Sequence, residues 1–215
     1  MGGQTDRLAM GVELGGALKD FSKSAIDLKE MFANEDADGN DVDPYASASL
    51  NASSKSVRSK TASSVSYFGS NASSSAAIKS EFDNWISLQV SEVYAMSDSL
   101  AAPGVAGQIA DGSSARYVNA MGLEYDQVIL KGLIGAFATD QILNNYLDPL
   151  TLDAGSNLDD NDNALLETDE NYTTMEHKWD EGYGYLFGGA SDKVNPMSTL
   201  GTDDSFLNKY LGKVI

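Results

Sequence analysis

Cysteine is absent from the 215-residue chain, and histidine occurs once, at position 177. The first absence excludes disulfide staples, thiolate zinc sites and cysteine nucleophiles, and it places any lipidated cysteine outside this segment. The second leaves no HExxH pair for a zinc peptidase. A Ser-His-Asp triad would have to run through His177, and no serine sits in a suitable local motif. Basic residues are scarce: 14 Lys plus Arg against 32 Asp plus Glu, a formal charge of −18. Such a surface repels phosphate backbones and anionic membranes, so nucleic acid is excluded as an expected partner, while solubility and association with cations are favoured. No run approaches the ~20 apolar residues that span a bilayer. Residues 1–20 lack the basic start, apolar run and small-residue cleavage site of a signal peptide. Strand alternation, a GxGxxG fingerprint, a P-loop and a GxSxG elbow are also missing.

What is present is helical spacing. The hydrophobic content of 42% is enough for one core. Leu14, Leu18, Phe21, Ala25, Leu28 and Phe32 step by four and three, which predicts a helix over 5–32 with Thr5 as N-cap. A short helix is expected over 55–67. Another is expected near 75–99, marked by Phe82, Trp85, Ile86, Val93 and Met96 and stopped by Pro103-Gly104. The strongest pattern runs over 122–147, apolar around most of its circumference, which marks a central helix. Its Gly132 and Gly135 would let another helix approach closely. A His-bearing helix is expected over 164–187, ended by Gly188-Gly189, and a further one from near Asp203.

Between these lie segments of different character. Residues 34–44 are rich in Asn, Asp and Gly. Asn34, Asp36, Asp38 and Gly39 match four positions of an EF-hand loop, but Tyr45 stands where the bidentate glutamate belongs and Asp41 where an apolar residue belongs. A solvated acidic turn is the better reading. Residues 151–164 read as a second acidic loop, whose alternating oxygens follow no specific calcium motif. Residues 46–80 hold fourteen serines, seven alanines, four Lys or Arg and no acid, and this local positive charge suits docking on the acidic remainder.

The segment 172–187 gathers the chemistry. At 100° per residue, Tyr172, Met175, Trp179, Tyr183 and Leu186 share one side of a helix. His177, Asp180, Glu181 and Gly184 share the other, with both acids one turn from the histidine. Three readings stand: a structural polar network, a metal or small-ligand site, and a catalytic group. One histidine with carboxylates suits iron, manganese or zinc, provided another helix supplies more donors, and Glu124 at the start of the central helix is a candidate. His177, Asp180, Glu181 and Glu124 are therefore the candidate metal ligands, for a divalent cation or iron.

Four blocks carry a resemblance: Gly2-Gly-Gln-Thr-Asp-Arg-Leu8, Gly122-Leu-Glu-Tyr-Asp-Gln127, Lys131-Gly-Leu-Ile-Gly-Ala136 and Glu176-His-Lys-Trp-Asp-Glu-Gly-Tyr-Gly-Tyr185. Together they resemble the uncharacterised, imelysin-related surface proteins of marine and gut bacteria. That resemblance implies an all-helical, exported or outer-membrane-attached protein, periplasmic or at the cell surface, with a role in iron uptake. The older description of imelysins implies a metal-dependent peptidase instead. Of the imelysin GxHxxE motif, His177 matches the histidine and Asp180 takes the glutamate position, while Met175 stands where glycine belongs. The expectation is an all-α bundle of five or six helices, a single domain over 1–215 with long acidic loops. It is expected to be the N-terminal part of a longer domain, cut at both ends, with attachment to the cell envelope through an upstream signal or lipid.

Overall fold

In the structure, a computed structural model that describes residues 2–202 and 205–214, helices dominate and one two-stranded hairpin is the sheet. The first helix, α1 (Gly2–Ala17), buries Leu8, Met10 and Leu14, and Leu18 follows it into the core. Burial of these side chains is the main driving force for placing α1 at the centre.

The expected single helix over 5–32 is two. After Ala17 the chain turns, and the Asp20 carboxylate accepts from the Ser22 amide at 3.1 Å and its hydroxyl at 2.6 Å. Ser24 then caps α2 (Ala25–Ala33), its hydroxyl accepting from the Asp27 amide while the Asp27 carboxylate accepts from the Ser24 amide. A reciprocal box of this kind starts a helix more strongly than periodicity continues one. Thr5 is not a cap but lies inside α1, where its hydroxyl donates to the Gly188 carbonyl at 3.0 Å.

Helix α2 ends on Asn34 in the left-handed conformation, φ 55°. Its side-chain amide donates to the Ser53 and Lys55 carbonyls at 2.7 and 3.0 Å, which fixes the entry of the serine-rich segment. The acidic turn between them closes on itself, with Asp36 accepting from the Asp38 and Asn40 amides and from the Asn40 side chain.

The helix expected over 55–67 is also broken. After α3 (Ala48–Asn51) come two single turns, α4 (Val57–Lys60) and α5 (Val65–Phe68). Ala62 between them has φ 48° and donates to the Ala136 carbonyl. The next two amides, of Ser63 and Ser64, both donate to the buried Asp140 carboxylate at 3.2 and 3.1 Å. A tertiary carboxylate has replaced the helix's own acceptors. Docking on an acid is seen at Arg58, whose guanidinium grips Asp83 of α6 (Ala72–Leu88) at 2.8 Å.

Helix α6 widens into a π turn at Gln89–Val93 and narrows to a 3₁₀ turn at Tyr94–Met96. Widening puts Gln89 inside, where its amide donates to the Leu18 carbonyl at 2.7 Å and covers the end of α1. The hairpin, β1 (Gly107–Asp111) and β2 (Ser114–Val118), pairs Gly107 with Val118 and Asp111 with Ser114. Strand β1 is mostly exposed, and β2 turns Ala115 and Tyr117 partly inward, Tyr117 meeting the Phe21 ring at 4.7 Å, an alternation confined to one short strand.

The central helix is one run: α7 (Tyr125–Leu133) passes into π turns at Ile134–Thr139 and Ile142–Tyr146. It buries Ile129, Leu133, Phe137 and Tyr146. Gly132 does face a close neighbour: a Cβ there would sit 3.1 Å from the Phe82 ring of α6. Gly135 faces open space, so the expected close approach holds at one of the two glycines.

The expected loop 151–164 is partly helical. Asp148 caps α8 (Pro149–Leu152) by accepting from the Leu150 amide at 2.9 Å, and α9 (Asn157–Asp162) follows. The His-bearing helix starts ten residues later than the expected 164, because residues 167–172 close a turn through Glu167 and Tyr172. Thr173 and Glu176 then form a second capping box that opens α10 (Thr174–Phe187). The expected helix near Asp203 begins outside the described residues. A single turn, α11 (Asn208–Leu211), is described beyond it.

Replacing Ser24 by Ala is expected to lower stability by about 1 kcal/mol, read from the midpoint of chemical unfolding. Asp27 in the same box is held below its ordinary value of 3.8, chiefly by the Ser24 amide. A depressed carboxylate stabilises the fold above its unfolded value and loses that contribution as pH falls through its folded value. The stability gap between wild type and Asp27→Asn should therefore be present at pH 7 and close as pH drops below 3.8.

Candidate functional site

Helix α10 lies against α1, α9 and the π turn that ends the central helix. Its capping box sets its start, and Gly182 lets it approach closely. A Cβ on Gly182 would stand 3.2 Å from the Leu147 side chain. The inward face is thus Gly182, Gly184, Tyr185 and Phe187, while Trp179 is 57% exposed. Both sides of the helix are therefore partly covered. In the stripe of Tyr172, Met175, Trp179, Tyr183 and Leu186, Trp179 is exposed while Leu186 packs against the core, and the side that carries Glu181 and Gly184 looks in.

Glu181 occupies the joint between α10 and α1. One carboxylate oxygen accepts from the Gln4 side-chain amide at 3.3 Å, and the other lies 3.1 Å from the Lys178 ammonium and 3.8 Å from His177 Nε2. The imidazole stacks on Tyr172, with ring centroids 5.2 Å apart and planes 17° from parallel. Tyr146 and Tyr185 stack at 5.7 Å behind the carboxylate, and the Lys60 ammonium lies 5.5 Å from the Tyr146 ring centre. Arg7, buried on α1, donates to the Ser56 carbonyl at 3.0 Å and to the Gly3 carbonyl at 3.2 Å.

Burial governs the protonation of this cluster. It pushes the Tyr146 phenol up to about 12, with the Glu181 charge adding to it, and raises Tyr185 as well. Both phenols are hydrogen-bond donors at neutral pH rather than bases. The Tyr185 hydroxyl is turned toward Tyr146 without the geometry of a formed hydrogen bond. Burial lowers Lys60, Arg7 lowers it further, and Glu181 opposes both. Lys178 pairs with the Glu181 carboxylate, and Lys60 feels that carboxylate together with the charges of Arg7 and Lys178, inside a chain whose net charge is −18.

Of the four candidate ligands, the fold brings two together, His177 and Glu181. Asp180 is exposed on the other side of α10, in a groove of about 480 Å³ beside Trp179, Tyr172 and Asn161. Glu124 flanks the start of α7 and is paired with Arg116 at 3.1 Å. It precedes Tyr146 by 22 residues of one helical run, on the order of 30 Å. Among the described residues no group of three or more His, Asp and Glu side chains is arranged to hold a metal ion.

The residues that complete the cluster, Gln4, Arg7, Lys60, Tyr146 and Tyr185, do not follow from helical spacing. Gln4 and Arg7 had a signal of another kind, since both stand in the Gly2–Leu8 block on which the family resemblance rests. Lys60 had a diffuse one, as one of the four cations of the 46–80 segment expected to dock on the acidic remainder.

Fold and cluster together define a mainly helical domain with a polar joint between its first helix and its tenth. Residues 1–215 match the model of a domain of unknown function, DUF4856, and the chain belongs to that family. No curated protein and no solved structure matches it.

Glu181→Gln removes the carboxylate that faces these cations and is expected to cost about 1–2 kcal/mol at pH 7. Lys60, with a folded value below 10.5, destabilises the fold while protonated, and that cost is relieved as pH rises through the folded value. Because Glu181 opposes this depression, its loss matters most where Lys60 is charged. Chemical unfolding as a function of pH should show the Glu181→Gln deficit shrinking as pH rises toward 10.5.

Proposed function

We propose that this chain is the helical binding domain of an exported, envelope-attached bacterial protein that serves metal uptake, iron in particular, as an accessory rather than an enzyme. One observation carries this reading: the Gln4–Glu181 contact, 177 residues apart in sequence. It joins two of the blocks that resemble the imelysin-related surface proteins, the one at 2–8 and the one at 176–185, at a single interhelical cluster with His177 at its edge. Periplasmic or surface location, and anchoring through a lipid outside this segment, belong to the same proposal and rest on the same resemblance.

The charge of the cluster narrows the ligand. A bare divalent cation entering beside Arg7, Lys60 and Lys178 meets three like charges and one carboxylate. Iron held in an anionic organic chelate meets guanidinium and ammonium groups of opposite sign together with phenol hydrogen-bond donors. His177 and Glu181 are then the groups nearest the metal side of such a complex. Helix α10, with glycines on its inward face, is the element that gives way to admit it.

The metal content of the purified full-length protein, measured by elemental analysis for wild type and His177→Ala, tests the metal. Thermal unfolding with ferric citrate, compared with zinc and calcium chlorides, tests the form. Ferric citrate is expected to raise the wild-type midpoint by several degrees, with the gain lost in Glu181→Gln and Arg7→Met. Equal stabilisation by the bare cations, or none by the chelate, counts against this ligand. Cytoplasmic fractionation of the full-length protein counts against the location. Metal-dependent cleavage of casein would favour the peptidase alternative.

A further inference from the structure

The segment 46–80, with its four cations and no acid, builds much of a groove of about 500 Å³ among α4, α5 and α6. Arg58 and Lys79 stand on its wall, and both also border a second depression of about 310 Å³. Arg58 is neutralised by Asp83 through three contacts of 2.8 to 3.2 Å. Lys79 is different. Among the described residues no carboxylate lies within ion-pairing distance of its ammonium. Burial lowers its pKa, and the neighbouring Arg58 lowers it further. A half-buried ammonium held beside a guanidinium is costly unless an anion joins them.

A second, independent observation concerns Ser64, which lines the same groove. Ser64 is 1% exposed, and among the described residues its hydroxyl has no hydrogen-bond partner. Its amide is satisfied by Asp140, so the backbone is held and the hydroxyl is not. Such a group in a native structure calls for a partner. The lining also has an apolar part, with Phe68 of α5 and with Ala72 and Ala76, which share the Lys79 face of α6. A volume of this order suits a small molecule.

We propose that this groove binds a small amphiphilic oxyanion, a carboxylate or phosphate monoester with a short apolar body. The head group bridges Lys79 and Arg58, and the body lies along Phe68 and Ala72. The site is built from elements other than α10 and stands whether or not the metal-uptake reading survives. The chain's net charge opposes an anion at long range, but at physiological salt that field is screened beyond about 8 Å. The unpaired Lys79 charge, beside an Arg58 that Asp83 balances, therefore decides.

Titration of the ¹⁵N-labelled chain with hexanoate and with hexyl phosphate, followed by amide shifts, tests this. Hexanol, hexylammonium and inorganic phosphate serve as controls. Saturable shifts of amides between Ser63 and Ser80 are expected with at least one of the two anions. They should appear at concentrations where hexanol and hexylammonium leave those amides unmoved and inorganic phosphate binds more weakly. The tighter of the two anions identifies carboxylate or phosphate as the head group. Lys79→Gln should weaken binding by roughly tenfold, and Lys79→Arg, which keeps the charge, should retain it. Each variant's thermal unfolding is measured alongside to show that it is folded. The absence of saturable shifts with both anions overturns the proposal. So do equal shifts with hexanol or hexylammonium, or unchanged affinity in folded Lys79→Gln. If Lys79→Gln does not fold, loss of binding in a folded Lys79→Arg overturns it too.

Discussion

Helix α1 is surrounded, and a surrounded helix must find partners other than water for the backbone and side-chain polar groups it carries inward. It finds them in elements far away in sequence. Gln4 meets Glu181 near its start, Arg7 reaches back to Gly3 and across to Ser56, Gln89 covers the Leu18 carbonyl at its end, and Thr5 holds the turn at Gly188. These contacts orient α4, α6 and α10 about one axis, and the apolar packing of Leu8, Met10 and Leu14 fills the space between. Hydrophobic burial supplies most of the free energy; the polar joints select one arrangement among the many that would bury the same side chains.

The same economy appears at Asp140. A carboxylate 5% exposed sits on the central helix without an ion pair among the described residues, and it is stabilised by the Ser63 and Ser64 amides and the Asn144 side chain. Dipolar donors can hold a buried charge as a salt bridge does. The arrangement explains how a segment rich in serine and alanine comes to be ordered. Its amides are acceptor-hungry, and the bundle offers a fixed acceptor. With that segment placed, Arg58, Lys60 and Lys79 become fixed positive charges on an otherwise acidic molecule. The Glu181 cluster and the α4–α6 groove both draw on these charges.

The broad architecture was legible. Three-four spacing marked the central helix and α6 close to their observed extents, since long apolar stripes are readable whenever burial is one-sided. The acidic turn after α2 was equally plain from its Asn, Asp and Gly content. Illegible were the breaks. Ser24 with Asp27, and Thr173 with Glu176, are capping boxes written in the sequence, yet each lay inside a longer apolar pattern that concealed it. The hairpin was hidden for another reason, since its alternation is confined to the five residues of β2 while β1 is mostly exposed.

The sequence by itself determined a mainly helical chain, its acidity, and the crowding of His177, Asp180 and Glu181 onto one short segment, because each follows from composition or from spacing along a helix. Tertiary structure alone decided which of these acids face inward. Tyr146 and Leu147 approach α10 where glycine permits it, so the helix turns its glycine side to the core, carries Glu181 in with it, and leaves Trp179 and Asp180 outside. It also decided the company Glu181 keeps. Gln4, Lys60 and Tyr146 come from three separate segments, and no local pattern encodes a meeting that depends on how distant elements pack.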